Sequence, residues 1–128
     1  MSRNLMEMAE EAACRAYAPA SSFRVGAALR GASGTVYTGC NIENASLGLS
    51  ICAERVALFK AISEGEKRFT AIAVFAEEGD APPCGACRQA LAEFAPDIEV
   101  TYRMGGETVT RPIAELLPDC FNREGESG

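Results

Sequence analysis

Six residues in two short stretches carry the chemistry open to this chain: Cys52, Glu54 and Arg55, then Pro83, Cys84 and Cys87 about thirty positions later. The sequence contains no histidine, so a catalytic metal needs other ligands. Three cysteine thiolates fill three positions of a tetrahedral zinc site and leave the fourth for water. A carboxylate two residues after the first ligand stands where a proton shuttle for that water would sit. The expectation is a zinc hydrolase with one Zn2+ per subunit on Cys52, Cys84 and Cys87, and Glu54 as the catalytic acid–base. Three thiolates leave such a site with one net negative charge, which weakens its pull on a water proton. Arg55, adjacent to Glu54, is the cation placed to offset it.

Two duller arrangements use some of the same residues. A closed four-cysteine zinc knot would recruit Cys40 as its fourth ligand. A thioredoxin-type redox pair would use Cys84 and Cys87 alone, and would leave Cys52 and Glu54 unexplained. Cys40 reads more simply as a small residue at a strand end, and Cys14 and Cys120 as core or incidental thiols.

Composition narrows the class. The 128 residues, 48% of them hydrophobic, suit one domain over 1–128 with a core that needs no disulfide staples. A formal charge of -6 argues against a nucleic-acid partner and favours a small molecule. The N-terminus lacks the basic flank and apolar stretch of a secretory signal, and no segment approaches a membrane span. The cytoplasm is therefore the expected compartment, where six cysteines stay reduced or hold metal.

Helical spacing of Leu5, Met8, Ala12 and Ala16 predicts an amphipathic helix from Arg3 to Tyr17, ended by Pro19. Phe23 to Leu29 and Thr35 to Cys40 read as a hairpin through Gly31–Gly34, followed by a polar loop from Asn41 to Ser50. The second helix, Cys52 to Glu64, is apolar nearly all round and is expected to be buried on most faces. Thr70 to Ala76 reads as a central strand covered on both sides. A helix from Gly85 to Phe94 follows, with Ala90, Leu91 and Phe94 toward the core. Ile98 to Tyr102 and Thr108 to Arg111 form a last hairpin turning at Gly105-Gly106. A short helical turn after Pro112 and a frayed tail after about residue 121 complete the chain. The fold class is α/β, a three-layer α/β/α sandwich around a mixed five-stranded sheet whose last two strands are a hairpin. Crossovers of this kind start each helix at the C-terminal edge of the strand before it, so Cys52 and Cys84 open on one sheet edge, where ligands of open α/β sheets bind.

The motifs together resemble a known family. Cys52-Ala53-Glu54-Arg55 with Pro83-Cys84-Gly85-Ala86-Cys87-Arg88-Gln89 matches the known zinc deaminase signature and is similar to cytidine deaminases of the small, homotetrameric, three-cysteine class. Phe23-Arg24-Val25-Gly26-Ala27-Ala28, Gly39-Cys40-Asn41-Ile42-Glu43-Asn44 and Glu115-Leu116-Leu117-Pro118 extend the likeness over about Tyr17 to Phe121. It implies a hydrolase that converts cytidine and deoxycytidine to uridine and deoxyuridine plus ammonia. Glu54 would move the protons, Asn41 and Glu43 would bond the ribose hydroxyls, and Phe23 would pack on the ring. Backbone groups near Ala53 and Cys84 would hold the base, and Phe121 would reach in from a neighbouring subunit of a homotetramer. The residues alone support part of this, because Asn41 and Glu43 alternate along an extended segment and can face one polar ligand. Polynucleotide and tRNA deaminases resemble this core but place a helix between the last strands, where Gly105-Gly106 leaves no room.

Two departures stand out. The family commonly has tyrosine where this chain has Ala20 and Leu47, which implies tolerance of cytidines with bulky substituents on the exocyclic amine or neighbouring ring carbon. The competing functions are deamination of another aminopyrimidine nucleoside such as blasticidin S, and a non-catalytic zinc- or nucleoside-binding module. The ribose signature at Asn41 and Glu43 argues against the first, and Glu54 against the second.

Overall fold

The computed structural model describes residues 4–122. The expected helix start at Arg3 and the expected frayed tail beyond Asn122 lie outside these residues.

Helix α1 spans Leu5–Ala13 and begins with a reciprocal cap. The Asn4 side chain accepts from the Glu7 N–H at 2.8 Å, and the Glu7 carboxylate accepts from the Asn4 N–H at 3.1 Å. The apolar spacing predicted a helix as far as Tyr17, but α1 stops four residues short. Tyr17 N–H donates to the Asn41 carbonyl and the Tyr17 carbonyl accepts from Glu43 N–H, so tertiary pairing overrides helical periodicity there. Arg24 donates to the Cys14 carbonyl that the helix end leaves open.

Strands β1 (Val25–Gly31) and β2 (Val36–Cys40) form the first antiparallel pair, β3 spans Phe69–Ala76, and β4 (Glu99–Met104) pairs with β5 (Glu107–Pro112). The sheet order is β2-β1-β3-β4-β5, with β1 antiparallel to β3 and β3 parallel to β4. Gly105 and Gly106 turn the last hairpin at φ 62° and 82°, the two positive values that a two-residue turn matched to strand twist requires.

Alternation along the strands sorts the core into two layers. Ala27, Leu29, Ile72 and Val74 join the larger cluster, which includes Ala57, Leu58 and Leu91 of the helices that follow β2 and β3. Ala28 and Ala73 face the other way, against Ala9 of α1. Helix α2 (Ala53–Ser63) links β2 to β3, α3 (Gly85–Phe94) links β3 to β4, and α4 (Ile113–Leu116) follows β5. The expected three-layer arrangement is therefore present.

Two expectations about helix faces are corrected. Helix α2 buries Ala53, Glu54, Ala57, Leu58 and Ala61, whereas Phe59 is 43% exposed; within one chain the sheet covers a single face of this helix. In α3 the buried residues are Cys87, Leu91 and Ala92, and Phe94 is 41% exposed at the helix end while the following Ala95 is buried. Among the described residues, no helix is long and apolar enough to cross a membrane.

Candidate active site

The segment after β2 determines where Cys52 lies. It is an ordered loop rather than a loose one. Ile42 and Ile51 exchange both backbone hydrogen bonds at 3.0 Å, and Asn44 N–H donates to Ser50 Oγ at 3.0 Å. A 3₁₀ turn over Leu47–Leu49 occupies the tip and leaves Leu47 76% exposed. Cys52 directly follows the pairing with Ile42 and caps the N-terminus of α2 with its backbone, its carbonyl accepting from Arg55 and Val56.

Helix α2 approaches β2 closely at Gly39. A methyl group there would lie 2.6 Å from the Ala57 nitrogen and 2.7 Å from the Ala53 oxygen, so glycine sets the depth at which the first turn of α2 sits.

Cys84 holds the matching position at the start of α3, with its carbonyl accepting from Arg88 N–H at 2.9 Å. Arg88 Nε donates to the Pro83 carbonyl at 2.8 Å, and its Nη1 to the Leu116 carbonyl at 3.0 Å. This side chain pins the loop just ahead of the thiol. Neither Cys52 nor Cys84 spends its side chain on capping, which leaves both sulfurs free to face a common centre.

That centre is shared with Cys87. Sγ of Cys52 and Cys84 are 3.7 Å apart, those of Cys84 and Cys87 are 3.5 Å apart, and all three lie within 4.8 Å of one another. Three sulfurs each about 2.3 Å from a tetrahedral zinc stand about 3.8 Å from one another, so the donor set fits that ion in both chemistry and spacing. Cys40, at the end of β2 opposite Gly26, is not a member of this cluster, and the six cysteines are all unbridged. The closed four-cysteine knot therefore has no fourth thiol.

The electrostatics follow from burial and proximity. Hydrogen bonding from Cys87, together with that from Arg55 and Cys84, brings the Cys52 thiol down to about 5. The same bond to Cys52, then burial, pushes the Cys87 thiol up. Arg55 Nη2 lies 3.5 Å from Cys52 Sγ, and that bond raises the guanidinium's hold on its proton. Glu54 is the single buried charged residue among those described, 5% exposed. Burial raises its carboxyl to about 7, with the Cys52 charge adding to the rise.

A cavity of about 200 Å³ opens over this cluster, and Phe23, Asn41, Cys52, Ala53, Glu54 and Cys84 line it. Val25, Val74, Ala81 and Pro82 supply apolar wall. A larger hollow of about 370 Å³ by Glu77 and Asp80 holds no thiol, and its polar groups are engaged, Asp80 with Gly105 N–H and Arg103 with the Gly106 carbonyl.

The structure places the remaining expected site residues unevenly. Asn41 is in the cavity wall, with its amide bonded to the Phe23 carbonyl at 2.8 Å and the Val25 N–H at 2.9 Å. Glu43 is bonded to the 20–21 backbone and the Ser21 hydroxyl. Phe121 is 81% exposed, and its backbone is clasped by the Gln89 amide, at 2.7 Å from Nε2 to its carbonyl. Sequence reasoning missed Arg88, Gln89 and Ser21 as supporting residues. Arg88 and Gln89 stand in the motif that follows Cys87, which does not announce the carbonyls they hold, and Ser21 has no signal beyond its place two residues before Phe23.

A family model described as the cytidine and deoxycytidylate deaminase zinc-binding region matches residues 1–103. The chain belongs to this deaminase family. It is 49% identical over 123 residues to the cytidine deaminase of Halalkalibacterium halodurans, covering 94% of this chain and 93% of that one. It is 46% identical over 123 residues to the cytidine deaminase of Sporosarcina psychrophila, covering 94% and 90%. The crystal structure of cytidine deaminase from Burkholderia pseudomallei superposes with a TM-score of 0.87 at 48% identity, over 94% of this chain and all of that one. In a zinc-binding family, Cys52, Cys84 and Cys87 are the residues that would hold the ion, and the sulfur spacing agrees.

Proposed function

We propose that the chain deaminates cytidine and deoxycytidine by hydrolysis, giving uridine and deoxyuridine plus ammonia. The observation that carries this reading is Glu54, a buried carboxyl near neutrality beside three converging thiols at the wall of a small cavity. A group poised near 7 both accepts and returns a proton at working pH. Zinc held by the three thiolates supplies Lewis-acid activation of water.

Water oxygen adds to the amino-bearing ring carbon while Glu54 takes the water proton. Glu54 passes that proton to the adjacent ring nitrogen, then carries the proton of the newly added hydroxyl to the departing amine as the carbon–oxygen bond becomes the carbonyl of the product. The ring carbon–nitrogen bond to the amine breaks, and ammonia leaves. Arg55, 3.5 Å from Cys52 Sγ, offsets thiolate charge that would otherwise oppose water ionisation.

Asn41 and Glu43 take the sugar hydroxyls, Phe23 packs on the ring, and backbone groups of Ala53 and Cys84 hold the base edge. Phe121 completes a neighbouring site in a cytoplasmic homotetramer, a role its exposure supports. Ala20 and the exposed Leu47 leave room for bulky substituents on the cytidine amine or neighbouring ring carbon.

The test is cytidine absorbance followed together with ammonia release by the zinc-loaded protein. Stoichiometric loss of cytidine and gain of ammonia is expected. A zinc-loaded, folded protein that releases no ammonia from any cytidine overturns the reading in favour of a binding module. Turnover of an amine-substituted cytidine tests the wider range separately.

A further inference from the structure

The loop over residues 20–23 is fastened to the 41–43 segment at both ends, and one hydroxyl ties the two fastenings together. Glu43 Oε1 accepts from Ala20 N–H at 2.9 Å and from Ser21 N–H at 3.2 Å, while Oε2 accepts from the Ser21 hydroxyl. The same Ser21 oxygen accepts from Phe23 N–H at 3.0 Å. At the other end Asn41 bonds the Phe23 carbonyl and Val25 N–H. Between them Ser22 adopts φ 59°, a left-handed conformation that a residue with a side chain keeps only where its surroundings enforce it.

The hydrogen-bond inventory gives this arrangement a consequence. A carboxylate offers about four acceptor positions. Oε1 has both of its positions occupied and Oε2 has one, so a single position on Oε2 is left for a ligand hydroxyl. We infer that Ser21 is a positioning residue, which orients Glu43 Oε2 for a sugar hydroxyl and couples that acceptor to the Phe23 backbone at the cavity wall. The inference rests on the proposed nucleoside substrate and on Glu43 as its sugar acceptor. The Ser21 bond also holds the Glu43 carboxyl below its ordinary value, as expected of a hydroxyl that donates to the charged form. Without the hydroxyl, Oε2 loses its tether and Phe23 N–H its partner, although no group that touches the reacting atoms is disturbed.

Steady-state kinetics on cytidine with Ser21→Ala, Ser21→Thr, Glu43→Gln and the double variant S21A/E43Q test this. Losing the orientation of one charge-assisted hydrogen bond should raise KM about 10-fold in S21A, with kcat held within about threefold. S21T retains a hydroxyl with the same donor and acceptor capacity and should restore most of the lost affinity. Adding S21A to E43Q should raise KM by much less than the about 10-fold it causes alone, because the route through Glu43 is already gone and only the Phe23 N–H partner remains to be lost. Zinc content should be unchanged throughout. Wild-type KM in S21A, a loss confined to kcat, S21T behaving like S21A, or additive effects in the double variant would each overturn the role of Ser21. Wild-type KM in E43Q removes the sugar acceptor itself and the inference with it. The absence of turnover by the unmutated protein falls on the proposed function instead.

Discussion

Cys52 Sγ and Cys84 Sγ are separated by 32 residues of sequence and by 3.7 Å of space. Topology accounts for the meeting. β2 and β3 are both antiparallel to β1, so they run the same way, and the helices that follow them start at one edge of the sheet. The buried Cys87, in the first turn of α3, completes the set.

If that set holds zinc, metal and stability are linked. Chelation should lower the stability of the protein by about 4 kcal/mol relative to zinc supplied at 1,000-fold above its Kd. Cys87→Ala should lose both zinc and the sensitivity to chelator, read by metal analysis beside thermal melts. Equal melts with and without chelator in the unmutated protein would contradict this assignment.

Glu54→Gln separates proton transfer from metal binding. The amide keeps the shape of the buried side chain but accepts no proton. Turnover of cytidine should fall by at least the ~10²–10⁴-fold typical of general acid–base catalysis, with zinc content retained. A variant that keeps its rate places the proton shuttle elsewhere.

The chemistry of the site was legible in the sequence because its residue types are rare in combination: three cysteines at ligand spacing, an acid two residues after the first, and no histidine to compete. The sheet was legible from apolar runs and from Gly105-Gly106. What was hidden depends on long-range partners. Nothing local announces that Tyr17 leaves its helix to pair with Ile42, that Phe59 on α2 lies beyond the cover of the sheet, or that Glu43 is fastened to Ser21. Arg88 reaching the Pro83 and Leu116 carbonyls is equally a tertiary fact. Periodicity reports a residue's own element, not what waits across a gap.

Glu66 should set part of the acid limit of stability. The Ser33 hydroxyl, at 2.6 Å, and then the Tyr37 hydroxyl, at 3.0 Å, hold its carboxyl below the ordinary 4.5, against the opposing effect of burial. A folded value below the unfolded one means that the unfolded chain binds more protons between the two. The contribution of Glu66 is then fully present above the unfolded value and is lost as pH falls through the folded one. Glu66→Gln removes the titration. The stability difference between wild type and E66Q, taken from urea midpoints, should be constant near neutrality and shrink below about pH 4.5. A difference that stays constant into acid would show that Ser33 and Tyr37 favour the charged form no more than water does.

Gly39 offers the sharpest test of how the sheet positions the metal ligands. The atoms a methyl group would meet, Ala57 N at 2.6 Å and Ala53 O at 2.7 Å, are backbone of α2 and cannot rotate aside. Gly39→Ala must therefore push the first turn of α2 outward, and Cys52 and Glu54 move with it. Overpacking of this kind costs about 1–3 kcal/mol, which urea unfolding would register. The same displacement separates Cys52 Sγ from Cys84 and Cys87, which belong to α3 and its cap and stay behind. Competition with a chromogenic chelator should then strip zinc from the variant at lower chelator concentration than from the wild type. Loss of stability with unchanged zinc affinity would show that the ligand cluster adjusts independently of the helix on which Cys52 is mounted.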